Sequence, residues 1–194
     1  MIGACIQEDG TWFNATFYMG PNREIWRYDK INLARSERDA FTPGNCLPVH
    51  DIMVDGEPVR LGIQMCREVR YPEQWRVLAM QGAQVIGYVN NAVGGRDGHD
   101  LWRCHVVSRA AETQRFIVGA NNAAPDQICP SLIVAPSGKV LAEAKIGAIA
   151  VAEASLDLTE VSDWVLSQAR DDVVSVRMQP QALAGPAETA HQAV

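Results

Sequence analysis

Arg60-Leu61-Gly62-Ile63-Gln64-Met65-Cys66-Arg67-Glu68-Val69-Arg70-Tyr71-Pro72-Glu73 changes character twice within one short segment. Leu61 to Met65 is apolar and β-prone. Cys66 ends that run. A charged turn follows, and Tyr71-Pro72-Glu73 opens a helix, because proline fits the first helical position. A thiol is thus placed where a strand ends and backbone N–H groups turn outward. That is a suitable place for a nucleophile, since the turn donors can hold a developing oxyanion. The competing reading is a buried core cysteine.

The surrounding chain reads as alternating strands and helices. Ile2 to Gln7 and Thr11 to Met19 form strands joined at Glu8-Asp9-Gly10, and Glu24 to Tyr28 a further short strand. Leu33 to Gly44 is a loop closed by Pro43-Gly44. Leu47 to Val54 and Val59 to Cys66 form a hairpin across Asp55-Gly56. Pro72 to Gln81 is a helix, Val85 to Val89 a strand, and Asn90 to Gly98 a glycine-rich loop. Leu101 to Gln114 has helical spacing, and Arg115 to Asn121 is a strand. Ser131 to Ala135 pairs with Val140 to Ala144 across Pro136-Ser137-Gly138. Ala148 to Leu156 is expected to be a last strand, and Leu158 to Gln168 a short helix. This mixture indicates a layered α/β protein. Residues 1–178 read as one domain, and 179–194 as a Pro/Ala/Gln-rich mobile tail.

Composition narrows the function classes. The 194 residues are 47% hydrophobic and 21% charged, values typical of a globular domain with its own core. The net charge of -6, with basic residues scattered, argues against a nucleic-acid surface. The five cysteines, Cys5, Cys46, Cys66, Cys104 and Cys129, are widely spaced and lack a C-x-x-C pair, so neither a disulfide framework nor a zinc knuckle is indicated. His50, His99, His105 and His191 show no metal-binding spacing. No phosphate-loop or dinucleotide motif occurs, and no cofactor is implied. The start lacks a signal-peptide pattern, and no apolar run is long enough to span a membrane. A reducing, cytoplasmic setting is the expectation.

Several further motifs occur in a fixed order around Cys66. Tyr28-Asp29-Lys30-Ile31-Asn32-Leu33 comes first, then Glu37-Arg38-Asp39-Ala40-Phe41-Thr42-Pro43-Gly44. After the cysteine come Trp102, Ser108-Arg109-Ala110-Ala111-Glu112-Thr113, and Val118-Gly119-Ala120-Asn121-Asn122. This order resembles the nitrilase superfamily, the carbon–nitrogen hydrolases, from about Ile2 to about Trp164. The resemblance implies a four-layer α-β-β-α sandwich and hydrolysis of a linear amide, an N-carbamoyl compound or a nitrile. It implies Cys66 as nucleophile, Lys30 as oxyanion stabiliser and Glu37 as the glutamate that orients the lysine. Arg67 would contribute its N–H to the oxyanion site. Glu68, Asn90 and Trp102 are the remaining pocket candidates, with core packing an equal reading of Trp102. A homo-oligomer, a dimer or larger, is implied in the same way.

One part of the family pattern has no match. The family's general base is an upstream glutamate in a Pro-Glu context at the end of an early strand. Glu8 and Glu24, both before Lys30, lie in turns without that context. The opening strand–helix–strand–helix segment has no counterpart either. The expectation is therefore an N-terminally truncated form of a longer enzyme, with an exposed sheet edge. The alternative is a non-catalytic remnant that binds a ligand or partner through the same pocket. A papain-like Cys–His hydrolase using His50, His99 or His105 is a third reading, and no local signature around Cys66 supports it.

Overall fold

The structure, a computed structural model, describes residues 1–94 and 98–176. Two sheets form its centre. The smaller is antiparallel, in the order β1 (Ile2–Glu8), β2 (Thr11–Met19), β3 (Ile25–Asp29). The larger runs β4 (Val49–Val54), β5 (Glu57–Met65), β6 (Val85–Asn90), β7 (Phe116–Asn121), β8 (Leu132–Val134), β9 (Val140–Glu143). Strands β5, β6 and β7 are mutually parallel. Their crossovers carry α1 (Pro72–Met80) and α2 (His99–Thr113), as parallel neighbours require.

Local chemistry explains the hairpins. Asp9-Gly10 and Asp55-Gly56 each place two successive residues at positive φ, 48° and 79°, then 52° and 85°. That is the two-residue turn whose twist matches the flanking strands, and it sets the registers Glu8↔Thr11 and Val54↔Glu57. In the parallel core, successive side chains point to opposite faces. Gly62 lies under Leu78 of α1, whereas Gly87, paired with the next residue Ile63, lies under Met1. Gly3 faces Val89 from the small sheet. One face of the large sheet thus carries helices and the other the small sheet, an α-β-β succession within an α/β sandwich. Trp75, Leu78, Ile86, Phe116, Ile117 and Leu132 are fully buried between these layers.

Two expected elements differ from the structure. Ala148 to Leu156 forms no strand. Ile149 and Val151 are 98% and 86% exposed, and no neighbouring strand offers this segment a ladder. Leu156 packs against the core, but Ile149 and Val151 do not, and a β-prone composition forms no strand without a neighbouring strand to pair with. The expected helix over Leu158 to Gln168 is split into a 3-10 turn, Leu158–Glu160, and a single turn α3, Trp164–Ser167. The Asp157 carboxylate accepts from Thr159 N, and Ser162 Oγ accepts from Trp164 N. Short polar side chains that bond nearby backbone compete in this way with one continuous helix. Arg115 anchors the segment: its guanidinium, 2% exposed, donates to Ala79 O at 3.0 Å, Ser162 O at 2.5 Å and the Asp163 carboxylate. The expected tail at 179–194 lies outside the described residues.

His50 of β4 stacks on Trp26 of β3, ring centroids 4.5 Å apart, and so joins the sheets at their edges. Burial lowers its pKa from 6.5 to about 4, with Asp51 opposing. The folded state holds a neutral imidazole that the unfolded chain protonates first. Stability is therefore full above pH 6.5 and is lost as pH falls from there toward 4. His50→Phe keeps a stacking ring without the titration. Urea unfolding across that window is expected to show a loss on the order of 3 kcal/mol in the wild type that the variant lacks.

Candidate active site

Two of the sequence candidates, Cys66 and Asn90, lie at the carboxyl ends of the parallel strands, the usual ligand-binding edge of an open α/β sheet. Cys66 follows β5, Asn90 ends β6, and Asn121 ends β7. Cys66 has φ +42°, a left-handed conformation that a non-glycine residue rarely adopts. The chain reverses there into the 3-10 turn Cys66–Arg70. Such a bend costs roughly 1–3 kcal/mol and persists only where the surroundings impose it.

The surroundings do impose it. Tyr88 Oη donates to Cys66 O at 2.7 Å, Trp75 Nε1 to Glu68 O at 2.9 Å, and Arg109 Nε to Val69 O at 3.1 Å. All three donors belong to buried residues. Arg109 also pairs with Glu112 on its own helix, as their spacing predicts.

Lys30 approaches from the small sheet, one residue beyond β3. Its side chain is 1% exposed, and Nζ donates to both Glu37 oxygens, at 2.8 and 2.7 Å. Glu37 also accepts from Ala34 N at 2.6 Å and Asn14 Nδ2 at 2.9 Å. Burial opposes its ionisation, but the bonds from Lys30, Ala34 and Asn14 outweigh burial and hold the carboxyl below its ordinary range. The loop between the two residues is closed where Gly44 N donates to Lys30 O at 2.9 Å. A Cβ at Gly44 would stand 2.2 Å from Asp29 O, so the backbones approach too closely for any side chain.

Glu68 joins the two halves. Its carboxylate is completely buried and accepts four hydrogen bonds. Oε1 takes Tyr28 Oη at 2.7 Å, Ile31 N at 2.8 Å and Asn32 N at 3.0 Å, and Oε2 takes Met65 N at 2.8 Å. The residues after Lys30 and the residue before Cys66 are thus held by one carboxylate. Burial pushes the Glu68 pKa up, against the four bonds. Burial also keeps Tyr28 a neutral donor, its pKa well above the ordinary value, with Glu68 adding to the shift.

The remaining candidates fall in distinct places. Arg67 leans on Tyr71, its Nε donating to the phenol oxygen at 3.2 Å. Asn90 is 7% exposed, and its amide lacks a well-formed hydrogen bond, its one polar neighbour being the Cys129 thiol. It lies beside Cys129, whose thiol burial pushes up to about 12 despite Asn90. Trp102 packs within the core, and the Arg70 guanidinium lies 5.6 Å from its ring centroid. His50, His99 and His105 make no hydrogen bond to Cys66. Their contacts are the Trp26 ring for His50, Asp100 for His99, and for His105 nearby Arg109, Arg70 and Glu112. Asn14, Tyr28, Tyr88 and Cys129, which the sequence reading does not single out as candidates, contact Glu37, Glu68, Cys66 and Asn90 respectively. Only the motif residue Tyr28 carried a signal in the sequence.

The carbon-nitrogen hydrolase family model matches residues 1–165. The chain belongs to this family. It is 31% identical over 150 residues to an (R)-stereoselective amidase of Pseudomonas sp, covering 74% of this chain and 52% of that protein. It is 26% identical over 201 residues to human omega-amidase NIT2, covering 92% of the chain and 71% of the relative. Among solved structures, the carbon-nitrogen hydrolase of Helicobacter pylori G27 matches with TM-score 0.73 at 21% identity, covering 86% of this chain and 65% of that one. Saccharomyces cerevisiae Nit3, a member of the nitrilase superfamily, matches with TM-score 0.72 at 20% identity, covering 87% and 62%. These likenesses show the nitrilase-type sandwich fold. This carbon–nitrogen hydrolase chain spans about half the length of the first of these relatives. Among the described residues no helix is long and apolar enough to cross a membrane.

In Glu68→Gln an amide N–H faces backbone donors that now meet a carboxylate. Urea unfolding is expected to show a loss of at least about 2 kcal/mol. Hydrogen exchange at Ile31 and Asn32 is expected to accelerate more than at core strand amides. Equal acceleration everywhere would show that Glu68 does not specifically fix the lysine loop.

Proposed function

We propose that this chain hydrolyses a non-peptide carbon–nitrogen bond, in a linear amide, an N-carbamoyl compound or a nitrile, through a thioester at Cys66. One observation carries the reading. A cysteine at positive φ follows a central strand, and Glu68 ties its turn to the loop of a buried Lys30 paired with the partly exposed Glu37. For an amide, Cys66 Sγ attacks the carbonyl carbon and the π electrons move onto oxygen. The thiol proton ends on the departing nitrogen, so collapse of that intermediate expels the amine and leaves the thioester, which water cleaves to the acid as a proton returns to sulfur. Lys30 has three N–H donors and gives two directions to Glu37, leaving one for the oxyanion. The Arg67 N–H is the second oxyanion donor. Glu37 fixes the ammonium, and the buried Asn90 amide, whose one polar neighbour is the Cys129 thiol, orients the substrate.

A second reading has its own support. Glu37 and Glu68 are fully engaged by hydrogen bonds, so neither is free to take the thiol proton. Loss of general-base catalysis costs typically about 10²–10⁴-fold. In this reading the chain binds an amide, or a partner, through the same pocket and does not turn it over. Assembly as a homodimer or larger belongs to the proposal and is read by sedimentation.

Ammonia release from butyramide and from N-carbamoyl-alanine tests the reading, alongside alkylation of Cys66. Turnover is expected to vanish in Cys66→Ala, and kcat to fall by about 10²–10³ in Lys30→Met. Turnover that survives Cys66→Ala overturns the mechanism. Rapid alkylation without turnover selects the second reading.

A further inference from the structure

We propose that Tyr88 is a positioning residue that aims the Arg67 N–H at the oxyanion. The inference rests on the reading of Cys66 as nucleophile and goes beyond it to a residue on another strand. The carbonyl of Cys66 and the N–H of Arg67 belong to one planar trans peptide, so they point in opposite directions. Tyr88 Oη donates to Cys66 O at 2.7 Å from beneath the turn. Holding that oxygen inward turns the Arg67 N–H outward, to the side where Cys66 is partly exposed.

Three features make this bond a fixed setting. Tyr88 is 1% exposed, at the register position of Gln64 in the adjoining strand, and its ring lies 5.6 Å from that of Trp75. The ring therefore has little freedom to move with the turn. Burial keeps the phenol protonated well above its ordinary range, with Cys129, Cys66 and Glu68 adding to the effect, so the donor persists at any working pH. Finally, Cys66 sits at φ +42°. A left-handed residue is the point where this peptide could flip most readily, since relaxing the strain at Cys66 would rotate the plane that carries the Arg67 N–H. Trp75 and Arg109 hold the later carbonyls of the turn, at Glu68 and Val69, and leave the Cys66 carbonyl to Tyr88.

The test separates nucleophilicity from oxyanion binding. Iodoacetamide alkylates a thiolate by displacement at carbon and forms no oxyanion. Butyraldehyde adds the thiol across its carbonyl: an S–C bond forms, the π pair moves to oxygen, and the sulfur proton ends on that oxygen. The hemithioacetal carries the polarised oxygen without needing turnover or a leaving group. In Tyr88→Phe the hemithioacetal is expected to weaken by about tenfold or more while alkylation stays within about twofold. Equal losses in both reactions, or no loss in either, overturn the proposal. The Phe ring preserves packing on Trp75, and thermal melting checks the fold. A measurement on the wild type needs no variant: in ¹⁵N-arginine-labelled protein the Arg67 amide proton moves downfield when the hemithioacetal forms. An unmoved Arg67 amide, or a readily alkylated Cys66 that forms no hemithioacetal, overturns the proposal. A wild-type thiol inert to iodoacetamide instead overturns the nucleophile reading beneath it.

Discussion

The site depends on the buried carboxylate of Glu68. It accepts from the backbone on both sides of the site, from Ile31 and Asn32 after the lysine and from Met65 before the cysteine. One group comes from the loop after β3 and the other from the end of β5, more than thirty residues apart in sequence. Its pKa shift is upward, because burial outweighs the hydrogen bonds it receives. Ionising this group is thus harder in the folded protein than in the unfolded chain, so the ionised carboxylate contributes geometry at a cost in stability. Removing it would still be destabilising, because the donors would remain buried without an acceptor.

Below Glu68 the turn has a definite polarity. Its carbonyls at Cys66, Glu68 and Val69 face inward onto Tyr88, Trp75 and Arg109. These donors come from β6, α1 and α2, so the parallel sheet and both crossover helices take part in shaping five residues. The α/β architecture is therefore part of the site's chemistry. The helices fill one face of the sheet, and with β6 they also supply the donors that direct the backbone dipoles of the Cys66 turn.

Local signals were legible where local chemistry decides structure. Asp-Gly at 9–10 and 55–56 specified tight hairpins, and Pro72 marked the start of a helix. The order of motifs along the chain singled out Lys30, Glu37 and Cys66 as candidates, and the structure brings Lys30 and Glu37 into contact. Interactions that join distant elements were not legible. Glu68 reads in sequence as one charge in a charged turn, and Arg115 as one residue at the start of a strand. Their roles exist only after three or more elements have met. The segment from Ala148 to Leu156 failed for the complementary reason: its composition favours a strand, but a strand also requires a neighbour.

The site contains two cysteines, and the environment of each decides which one can react. Cys129 is 2% exposed, and burial pushes its thiol up to about 12. At neutral pH its thiolate fraction is on the order of 10⁻⁵. The neighbouring Cys66 contributes to that shift, since a thiolate at one position disfavours a thiolate at the other. Cys66 is partly exposed and displayed by a left-handed bend. Burial therefore silences Cys129, and Cys66 is the accessible thiol, above a turn whose carbonyls are held inward by Tyr88, Trp75 and Arg109.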